Sequence, residues 1–374
     1  MHLVYLANDL NDSAVARRVK MLTRGGASIR LAGFYRQPSP PIDIEGVPAL
    51  ALARTRDARL IQRIALVGRY TLRADRLVPL LDAADLVIAR NLEMLVIAAR
   101  AIAKTGRRIP LIYELLDVHR LLAGEKPAAR LMRRLERWGI DHSAAIITSS
   151  PAFISDHLER RYDSLPPVIL VENKIFAPDS PIEEPPPPPS APPWRIGWFG
   201  VLRCRESLAT LASIAGRLGD RVEIDLRGVI GVPIADMIEP ILARHPNIRF
   251  HGRYRNPDDL RSIYGAVHFA WAIDLYEQGL NSSWLLPNRL YEGSGHGAVP
   301  IALAGVETAA WLQRYDMGLL VHRLTDIAGA LDMMTPERHG TLRAQIAAAP
   351  RSLFFTEAAE CADLVARLQG LKAR

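Results

Sequence analysis

Cysteine, a leader segment and long apolar runs are scarce or absent in this sequence. The two cysteines, Cys204 and Cys361, share no metal-ligand spacing, so neither a disulfide scaffold nor a cysteine-based metal site is expected. The first residues, 1–6, lack the basic start and cleavage site of a signal peptide. No segment reaches the roughly 18 uninterrupted apolar residues that a membrane-spanning helix needs. These absences predict a cytoplasmic protein, either soluble or peripheral on the inner face of the cell membrane.

Two common ligand-binding signatures are missing as well. No G-x-G-x-x-G follows the first apolar run, which argues against an NAD-dependent dehydrogenase. The 47 Lys and Arg residues outnumber the 40 Asp and Glu residues, a balance that permits nucleic acid, anionic lipid or phosphorylated substrates as partners. The basic stretches lack interleaved exposed aromatic residues, and no nucleic-acid-binding module is present. We therefore expect no nucleic-acid partner.

Short apolar runs alternate with helix-period segments along the 374 residues, which is more chain than one hydrophobic core usually organises. This alternation predicts an α/β fold whose parallel sheets are covered by helices. The strands predicted in the first half are Leu3–Leu6, Ile29–Phe34, Leu86–Ala89, Leu111–Leu115, Ala145–Thr148 and Val168–Val171. Those predicted in the second half are Arg195–Phe199, Val222–Arg227, Ile248–His251, Val267–Trp271, Val299–Leu303 and Gly318–Val321. The helices between them are predicted around residues 13–23, 57–78, 92–104, 126–138, 151–160, 207–218, 234–243 and 257–265.

A proline-rich tract divides the alternating pattern into two halves. Residues 177–193 contain nine prolines in seventeen residues, a composition typical of a stiff polyproline II segment with no core to join. We therefore predict four parts. They are an N-terminal domain at 1–176, a linker at 177–194, a C-terminal domain at 195–352 and a C-terminal segment at 353–374. The helix of that last segment is predicted to pack back on the first domain.

The densest group of candidate binding residues lies between Glu277 and Pro300. A polar loop leads into a short helix that carries Glu292, and a turn of small residues then leads into an apolar strand. Loops at the C-terminal ends of parallel strands bind ligands in doubly wound folds. Glu292 would accept hydrogen bonds from a ribose, and the backbone amides of Asn281–Ser283 or of the helix start would meet phosphate. The alternative is a polar helix cap with a surface glutamate.

The stretch Glu292-Gly-Ser-Gly-His-Gly-Ala-Val-Pro300 resembles the donor-binding region of GT-B glycosyltransferases, especially those of family four. Arg195-Ile-Gly-Trp-Phe-Gly200-Val-Leu-Arg203-Cys-Arg205 is similar to the first strand and loop of that donor domain, where basic residues neutralise a diphosphate. Two surface arginines at a helix entry are the alternative for Arg203 and Arg205. Within the group, the chain resembles bacterial exopolysaccharide-assembly transferases of the succinoglycan type.

The resemblance implies two Rossmann-like domains facing a cleft, and transfer of a sugar from a nucleotide diphosphate sugar, with UDP as the expected nucleotide. The acceptor would be a glycan or a polyprenyl-linked molecule. The second domain would bind the donor through Gly200, Arg203, Arg205, Asn281, Ser282, Ser283, Asn288, Arg289 and Glu292. Because arginines would neutralise the diphosphate and no Asp-X-Asp motif is present, we expect no metal ion and no cofactor.

One departure from the family pattern limits what the resemblance implies. The family has a first glutamate eight residues before the second, but here that position is Trp284, and Glu277 lies too far upstream. A retaining mechanism based on the acidic pair is therefore not implied. A nucleotide-sugar 2-epimerase and a non-catalytic sugar-nucleotide-binding subunit of a polysaccharide assembly complex stay open as alternatives. Turnover with and without an acceptor separates them.

Candidate catalytic residues follow a predicted strand of the first domain. Inverting members of the superfamily use a carboxylate of this domain as general base, and Asp117 lies just beyond the strand 111–115. Glu114 and His119 compete for the role, and loop polar residues that cap the next helix are the alternative. Asp12 or Ser13, by contrast, is expected to be the N-cap of the first helix.

Two arginine-rich segments, 54–76 and 126–138, are predicted to be amphipathic helices. On a helical wheel one arc of the first segment is apolar, and it holds Leu60, Ile61, Ile64, Val67 and Gly68. A second arc is basic and holds Arg59, Arg63, Arg69 and Arg73. In the second segment, Arg130, Arg133, Arg134 and Arg137 stand beside Leu131, Met132, Leu135 and Trp138. A basic face favours contact with an anionic membrane surface. The alternative is a solvated face above a buried apolar stripe.

Overall fold

The computed structural model divides the chain into two compact units. It describes residues 1–55, 60–118, 122, 127–177, 188 and 191–371. Unit 1 comprises residues 1–172 and 356–374, and unit 2 comprises residues 173–355. Residues 178–187, 189 and 190 of the predicted linker lie outside the described residues.

Unit 1 contains a largely parallel sheet, of which the described residues form eight strands in the order β3-β4-β2-β1-β5-β6-β7-β8. All neighbouring pairs run parallel except β3 and β4. The strands are β1 (His2–Ala7), β2 (Ser28–Tyr35), β3 (Asp43–Ile44), β4 (Val47–Arg54), β5 (Leu86–Arg90), β6 (Leu111–Leu115), β7 (Ala145–Thr148) and β8 (Val168–Leu170). The middle strands are buried along their whole length, as expected for a sheet covered on both faces.

The helices of unit 1 follow the strands in the alternation that the sequence predicts. They are α1 (Ser13–Arg24), α2 (Leu60–Leu72), α3 (Val78–Leu81), α4 (Asn91–Thr105), α5 (Pro127–Asp141) and α6 (Glu159–Arg161), with a 3-10 turn at Ala74–Leu77 and a π-helix at Phe153–Leu158. The side chain of Asp12 accepts a hydrogen bond from the amide of Ala14, so its predicted role as the N-cap of α1 is confirmed.

Unit 2 repeats the plan on a second parallel sheet, whose described strands are ordered β12-β11-β10-β13-β14-β15. Its strands are β9 (Ile175–Phe176), β10 (Trp194–Leu202), β11 (Val222–Ile230), β12 (Ile248–Phe250), β13 (Phe269–Trp271), β14 (Val299–Leu303) and β15 (Leu319–Val321), followed at the unit boundary by β16 (Phe355–Thr356). Its core holds four fully buried tryptophans, Trp194, Trp198, Trp271 and Trp311.

Helices cover the sheet of unit 2, and a last helix returns to unit 1. Those of unit 2 are α7 (Arg205–Leu218), α8 (Ile238–Arg244), α9 (Leu260–Gly265), α10 (Asn281–Trp284), α11 (Asn288–Gly295), α12 (Glu307–Arg314), α13 (Asp326–Asp332) and α14 (Pro336–Ala348), with 3-10 turns at Gly219–Arg221, Val232–Ile234 and Arg351–Leu353. The last helix, α15 (Ala358–Gly370), lies against α1, where a side chain on Gly25 would come within 2.3 Å of the Cys361 carbonyl oxygen.

Some elements differ between prediction and structure, notably β4 and α8. Strand β4 was not predicted, because its alternating Ala and Leu residues lie on a half-exposed strand near the sheet edge and give a weak apolar signal. The helix predicted at 234–243 begins only at Ile238. Pro240 accounts for this start, since proline has no amide hydrogen and fits the first turn of a helix but not its interior.

Apolar side chains of α2 are partly exposed, contrary to the alternative of a solvated face above a buried apolar stripe. Ile64 is 59% exposed and Leu72 is 83% exposed. The helix packs through its other side, where the Tyr70 hydroxyl donates to the Leu52 carbonyl and Arg63 pairs with Glu93. Arg56 and Arg59 lie outside the described residues.

The same arrangement recurs on α5. Leu131 is 68% exposed and Trp138 is also exposed, beside the exposed Arg130 and Arg134. On both helices, apolar and basic side chains therefore share the solvent-facing side. The alternative of a buried apolar stripe beneath a solvated basic face does not hold for these residues, and contact with an anionic membrane surface stays a prediction.

Two paired glycines shape the C-terminal ends of β10 and β11. Gly200 and Gly228 are register partners, with φ of +118° and +124°. A Cβ on Gly228 would lie 1.9 Å from the carbonyl oxygen of Gly200. Gly228 therefore needs glycine both for the backbone angle and for the close approach of the strands, whereas Gly200 needs it for the backbone angle alone.

Gly228→Ala should destabilise unit 2 by about 2 kcal/mol or more, because it combines a disfavoured backbone angle with a backbone clash. The buried tryptophans of unit 2 make intrinsic fluorescence during urea unfolding the appropriate measurement. Gly252→Ala is the matched control, since Gly252 also has a positive φ (+76°) but a Cβ there meets nothing within 4 Å. Equal losses in the two variants would show that strand proximity is unimportant.

Candidate functional site

The candidate site of unit 2 lies where its strand order reverses. From β10 the chain adds β11 and β12 on one side, and it later adds β13, β14 and β15 on the other. Ligands of doubly wound folds bind outside the C-terminal ends of the strands at such a reversal. The segments that leave β10 and β13 here bring Arg203 and Asp274 together.

Asp274 is the centre of this arrangement, and the sequence analysis did not single it out. Its Oδ2 lies 3.9 Å from Nη2 of Arg203 and 3.5 Å from Nη2 of Arg289. Its Oδ1 accepts hydrogen bonds from the hydroxyl of Ser282 (3.2 Å) and the amide of Tyr276 (2.9 Å). The signal that could have revealed it is its position, an acid three residues beyond the buried strand 269–271.

The two arginines at Asp274 keep hydrogen-bond donor groups available for a ligand. Arg203 is partly exposed, and its guanidinium carbon lies 4.7 Å from the ring centre of Tyr276, a cation–π contact that orients the group. Nη2 of Arg289 donates weakly to the Ile273 carbonyl (3.4 Å), and its buried Nε has no hydrogen-bond acceptor among the described residues. Asn288, which was predicted beside it, is the first residue of α11.

The predicted role of the Asn281–Ser283 amides is wrong for two of the three residues. The amide of Ser282 donates to the Glu277 carbonyl (3.3 Å), and that of Ser283 donates to the Leu280 carbonyl (2.8 Å). The side chain of Asn281 donates to the Glu277 carboxylate (2.6 Å). These residues therefore hold their own loop in shape, and Ser282 also links it to Asp274.

Glu292 lies on α11 and is buried rather than on the surface. One carboxylate oxygen accepts from Nδ2 of Asn256 (2.8 Å), and the other accepts from the hydroxyl of Tyr264 (3.2 Å). Burial, together with the negative charge of Glu292, raises the pKa of Tyr254 and Tyr264. A carboxylate has about four lone-pair sites, so a group of this kind is suited to receiving ribose hydroxyls.

Arg205 differs from Arg203 in the closeness of its contact with a carboxylate. Its Nη1 and Nη2 contact the two carboxylate oxygens of Asp236 at 2.7 and 3.1 Å, and Nη1 also donates to the Pro233 carbonyl. The hydrogen bond from Arg205 lowers the pKa of Asp236. The structure therefore gives Arg205 a local partner that sequence reasoning did not foresee.

A small, mainly apolar recess adjoins Asp274 and Ser282. Its other lining residues come from the ends of β13 and β14, the loop before α11 and the start of α12, and they are Ala272, Ile273, Leu275, Leu285, Pro287, Ala302, Leu303, Val306 and Thr308. The candidate site thus combines a charged part with an apolar wall, as ligand sites commonly do.

In unit 1, Glu114 is not suited to the catalytic role considered for it. The carboxylate is fully buried, and its two oxygens accept from Nε of Arg18 (2.6 Å) and from the hydroxyl of Tyr5. Burial and the charge of Glu114 raise the pKa of Tyr5. Both oxygens of Glu114 are thus engaged inside the core of unit 1, which favours a structural role for this carboxylate over the predicted role of alternative base.

Of the two other candidate bases of unit 1, Asp117 and His119, the described residues include only Asp117. Asp117 is exposed and lies two residues beyond the end of β6. His119 lies outside the described residues. Asp117 is therefore the exposed carboxylate that follows this central strand.

Comparison with known proteins places the chain among glycosyltransferases. Residues 6–171 match the glycosyl transferase 4-like domain family. The chain is 41% identical to the succinoglycan biosynthesis protein ExoL of Rhizobium meliloti (strain 1021), over 99% of this chain and 94% of that protein.

Solved structures share the fold at low identity. Sucrose-phosphate synthase from Thermosynechococcus elongatus has a TM-score of 0.72 at 14% identity, covering 98% of both chains. Anabaena HepE, crystallised with UDP, has a TM-score of 0.69 at 14% identity, covering 99% of this chain and 100% of its own. The lipopolysaccharide outer core galactosyltransferase WaaB has a TM-score of 0.68 at 13% identity over the same shares. The predicted α/β fold with two Rossmann-like units is confirmed, and the chain belongs to the glycosyltransferase family that includes ExoL, with the GT-B fold.

Proposed function

We propose that this protein transfers a sugar from a UDP-sugar to a glycan or lipid-linked acceptor in bacterial polysaccharide assembly. The observation that carries the proposal is the pair of arginines that Asp274 holds at the strand reversal of unit 2. The name of ExoL supports a role in exopolysaccharide synthesis, and the HepE structures with UDP and with UDP-glucose support the choice of nucleotide.

In this proposal, two arginines and one glutamate bind different parts of the sugar donor. Arg203 and Arg289 neutralise the diphosphate, since guanidinium groups suit bidentate contacts to phosphate oxygens, and a divalent cation is then not required. Glu292 receives the ribose hydroxyls. Asn288 lies at the start of the same helix as Glu292 and Arg289, where backbone amides favour an anion.

Arg203→Ala should weaken UDP binding by roughly 1.5–3 kcal/mol, the scale of hydrogen bonds to charged groups, and should leave uridine binding nearly unchanged. Isothermal calorimetry with both ligands measures the difference. Arg205→Ala is the matched control, because Arg205 lies in the same segment but is paired with Asp236. Equal losses for UDP and uridine would indicate general disruption, and a wild-type protein that binds no UDP would refute the proposed function.

The acceptor is proposed to bind to unit 1, with Asp117 as the general base. Its carboxylate takes the proton of the acceptor hydroxyl while that oxygen bonds to the anomeric carbon of the donor. The bond from this carbon to the diphosphate oxygen breaks, and the nucleotide diphosphate leaves. Attack from the face opposite to the leaving group inverts the anomeric configuration.

Asp117→Asn should reduce the transfer rate about 10²–10⁴-fold, the usual contribution of general-base catalysis, with donor affinity nearly unchanged. Steady-state kinetics and the anomeric configuration of the product, determined by NMR, are the measurements. A product with retained configuration would contradict the mechanism. Isomerisation of the donor without an acceptor would identify a 2-epimerase instead.

The third part of the proposal is contact with an anionic membrane surface through α2 and α5. No helix in the described part of the chain is long and apolar enough to cross a membrane. The exposed faces of α2 and α5 nevertheless combine apolar side chains with arginines that form no ion pair with a described residue, namely Arg69, Arg73, Arg130 and Arg134. Such a face inserts its apolar side chains at the lipid boundary while its charges meet anionic headgroups.

Leu72→Ser should lower binding to vesicles that contain an anionic lipid by roughly tenfold, as expected for losing about 1.5 kcal/mol of apolar burial. Flotation at low and high salt measures it, and high salt should also weaken binding. Met333→Ser is the matched control, because Met333 is similarly exposed but lies in unit 2. Binding that is insensitive to anionic lipid would contradict this part of the proposal.

A further inference from the structure

The sheet of unit 1 also reverses its strand order, at the junction of β1 and β5. Strand β1 has β2 as its neighbour on one side and β5 on the other. A crevice forms outside the C-terminal ends of two strands whose connections leave in opposite directions. Residues that follow β1 and β5 line this edge.

Two asparagines occupy matching positions there. Leu6 pairs with Ala89, and Asn8 and Asn91 each follow two residues later, just beyond the ends of β1 and β5. The side-chain oxygen of each asparagine is buried and has no hydrogen-bond donor among the described residues. Buried polar atoms nearly always have partners in native proteins, so two unpartnered acceptors at corresponding positions of this sheet edge indicate a ligand.

The backbone of Asn91 is also unusual. Its φ is +63°, in the left-handed region that residues other than glycine rarely adopt. Such strain persists where the surroundings hold a residue for a purpose, and it concentrates at binding sites.

Arg90 adds a buried donor directly before Asn91. Its side chain is 3% exposed, with Nη2 bonded to Asp12 (2.8 Å) and Nη1 to the hydroxyl of Tyr5 (3.3 Å). Its Nε is buried and has no acceptor in the described part of the chain. This edge of the sheet therefore offers two hydrogen-bond acceptors and one hydrogen-bond donor.

The charges at this edge favour a neutral ligand. Arg18 and Arg90 carry two positive charges, and Asp12 and Glu114 carry two negative ones in the same network. A phosphate would find no excess positive charge here, in contrast to the arginines beside Asp274. Amide oxygens that accept and a guanidinium that donates match the hydroxyl groups of a sugar.

We propose that Asn8, Asn91 and Arg90 form a subsite that binds the hydroxyl groups of a neutral sugar residue, the one that the transferred sugar joins. This assignment rests on the proposed glycosyltransferase function. The three residues position the acceptor sugar without taking part in proton transfer.

The variant Asn91→Gly tests ligand binding at this subsite without disturbing the fold. Glycine adopts a φ of +63° without strain, and the lost amide oxygen has no partner in the described protein, so the melting temperature should not fall. Binding of D-glucose or D-galactose, followed by saturation-transfer NMR on the full chain, should weaken about tenfold, as should the apparent KM for acceptor. Glu45→Gly is the matched control, because Glu45 also has a positive φ in unit 1.

The outcomes are distinct for the two proposals. Hexose binding that is absent from the wild-type protein, or unchanged in Asn91→Gly, would overturn the subsite. Inorganic pyrophosphate that binds in an Asn91-dependent manner in place of the hexoses would also overturn it. UDP binding is measured in the same samples, and its absence from the wild-type protein would refute the proposed function, whatever the hexoses do.

Discussion

The carboxylate of Asp274 is the interaction on which the candidate site of unit 2 depends. Without it, the guanidinium groups of Arg203 and Arg289 would repel each other, and the loop of Ser282 would lose its link to the end of β13. One negative charge offsets one of the two positive charges, so these three side chains keep a net charge of +1. That remainder suits an anion such as a diphosphate, whereas the Arg205–Asp236 pair is neutral and offers no such attraction.

The two units use the same topology with different electrostatics. Both sheets reverse their strand order at a central pair, and in both a guanidinium group lies at the strand ends. At the strand ends of unit 2, the charges of Arg203 and Arg289 exceed that of Asp274. At the strand ends of unit 1, the buried charges cancel. Removing charges from water is costly unless each is paired, which explains why Glu114 and Arg90 are embedded in a shared network. This difference in charge supports binding of an anionic donor to unit 2 and of a neutral acceptor sugar to unit 1.

The helices α2 and α5 show that a correct local pattern leaves the orientation of a helix open. Their residue types were predicted to be amphipathic, and they are. Apolar side chains such as Leu72 nevertheless face solvent, because Tyr70 and Arg63 make the contacts that attach α2 to β4 and α4. A helical wheel shows which residues share a face, but contacts with neighbouring elements decide which face is buried.

Local pattern by itself determined the fold class and several elements with their bounds, including Leu111–Leu115, Ala145–Thr148 and Val299–Leu303. These strands are short, mainly apolar runs, so short-range information suffices. The motif around Glu292 likewise indicated the family. Only the tertiary structure decided the partners of the site residues, such as Asp274 for Arg289, Asp236 for Arg205 and Arg18 for Glu114. Arg18 and Glu114 are 96 positions apart along the chain, and a local pattern contains no information about which distant charge the fold brings into contact.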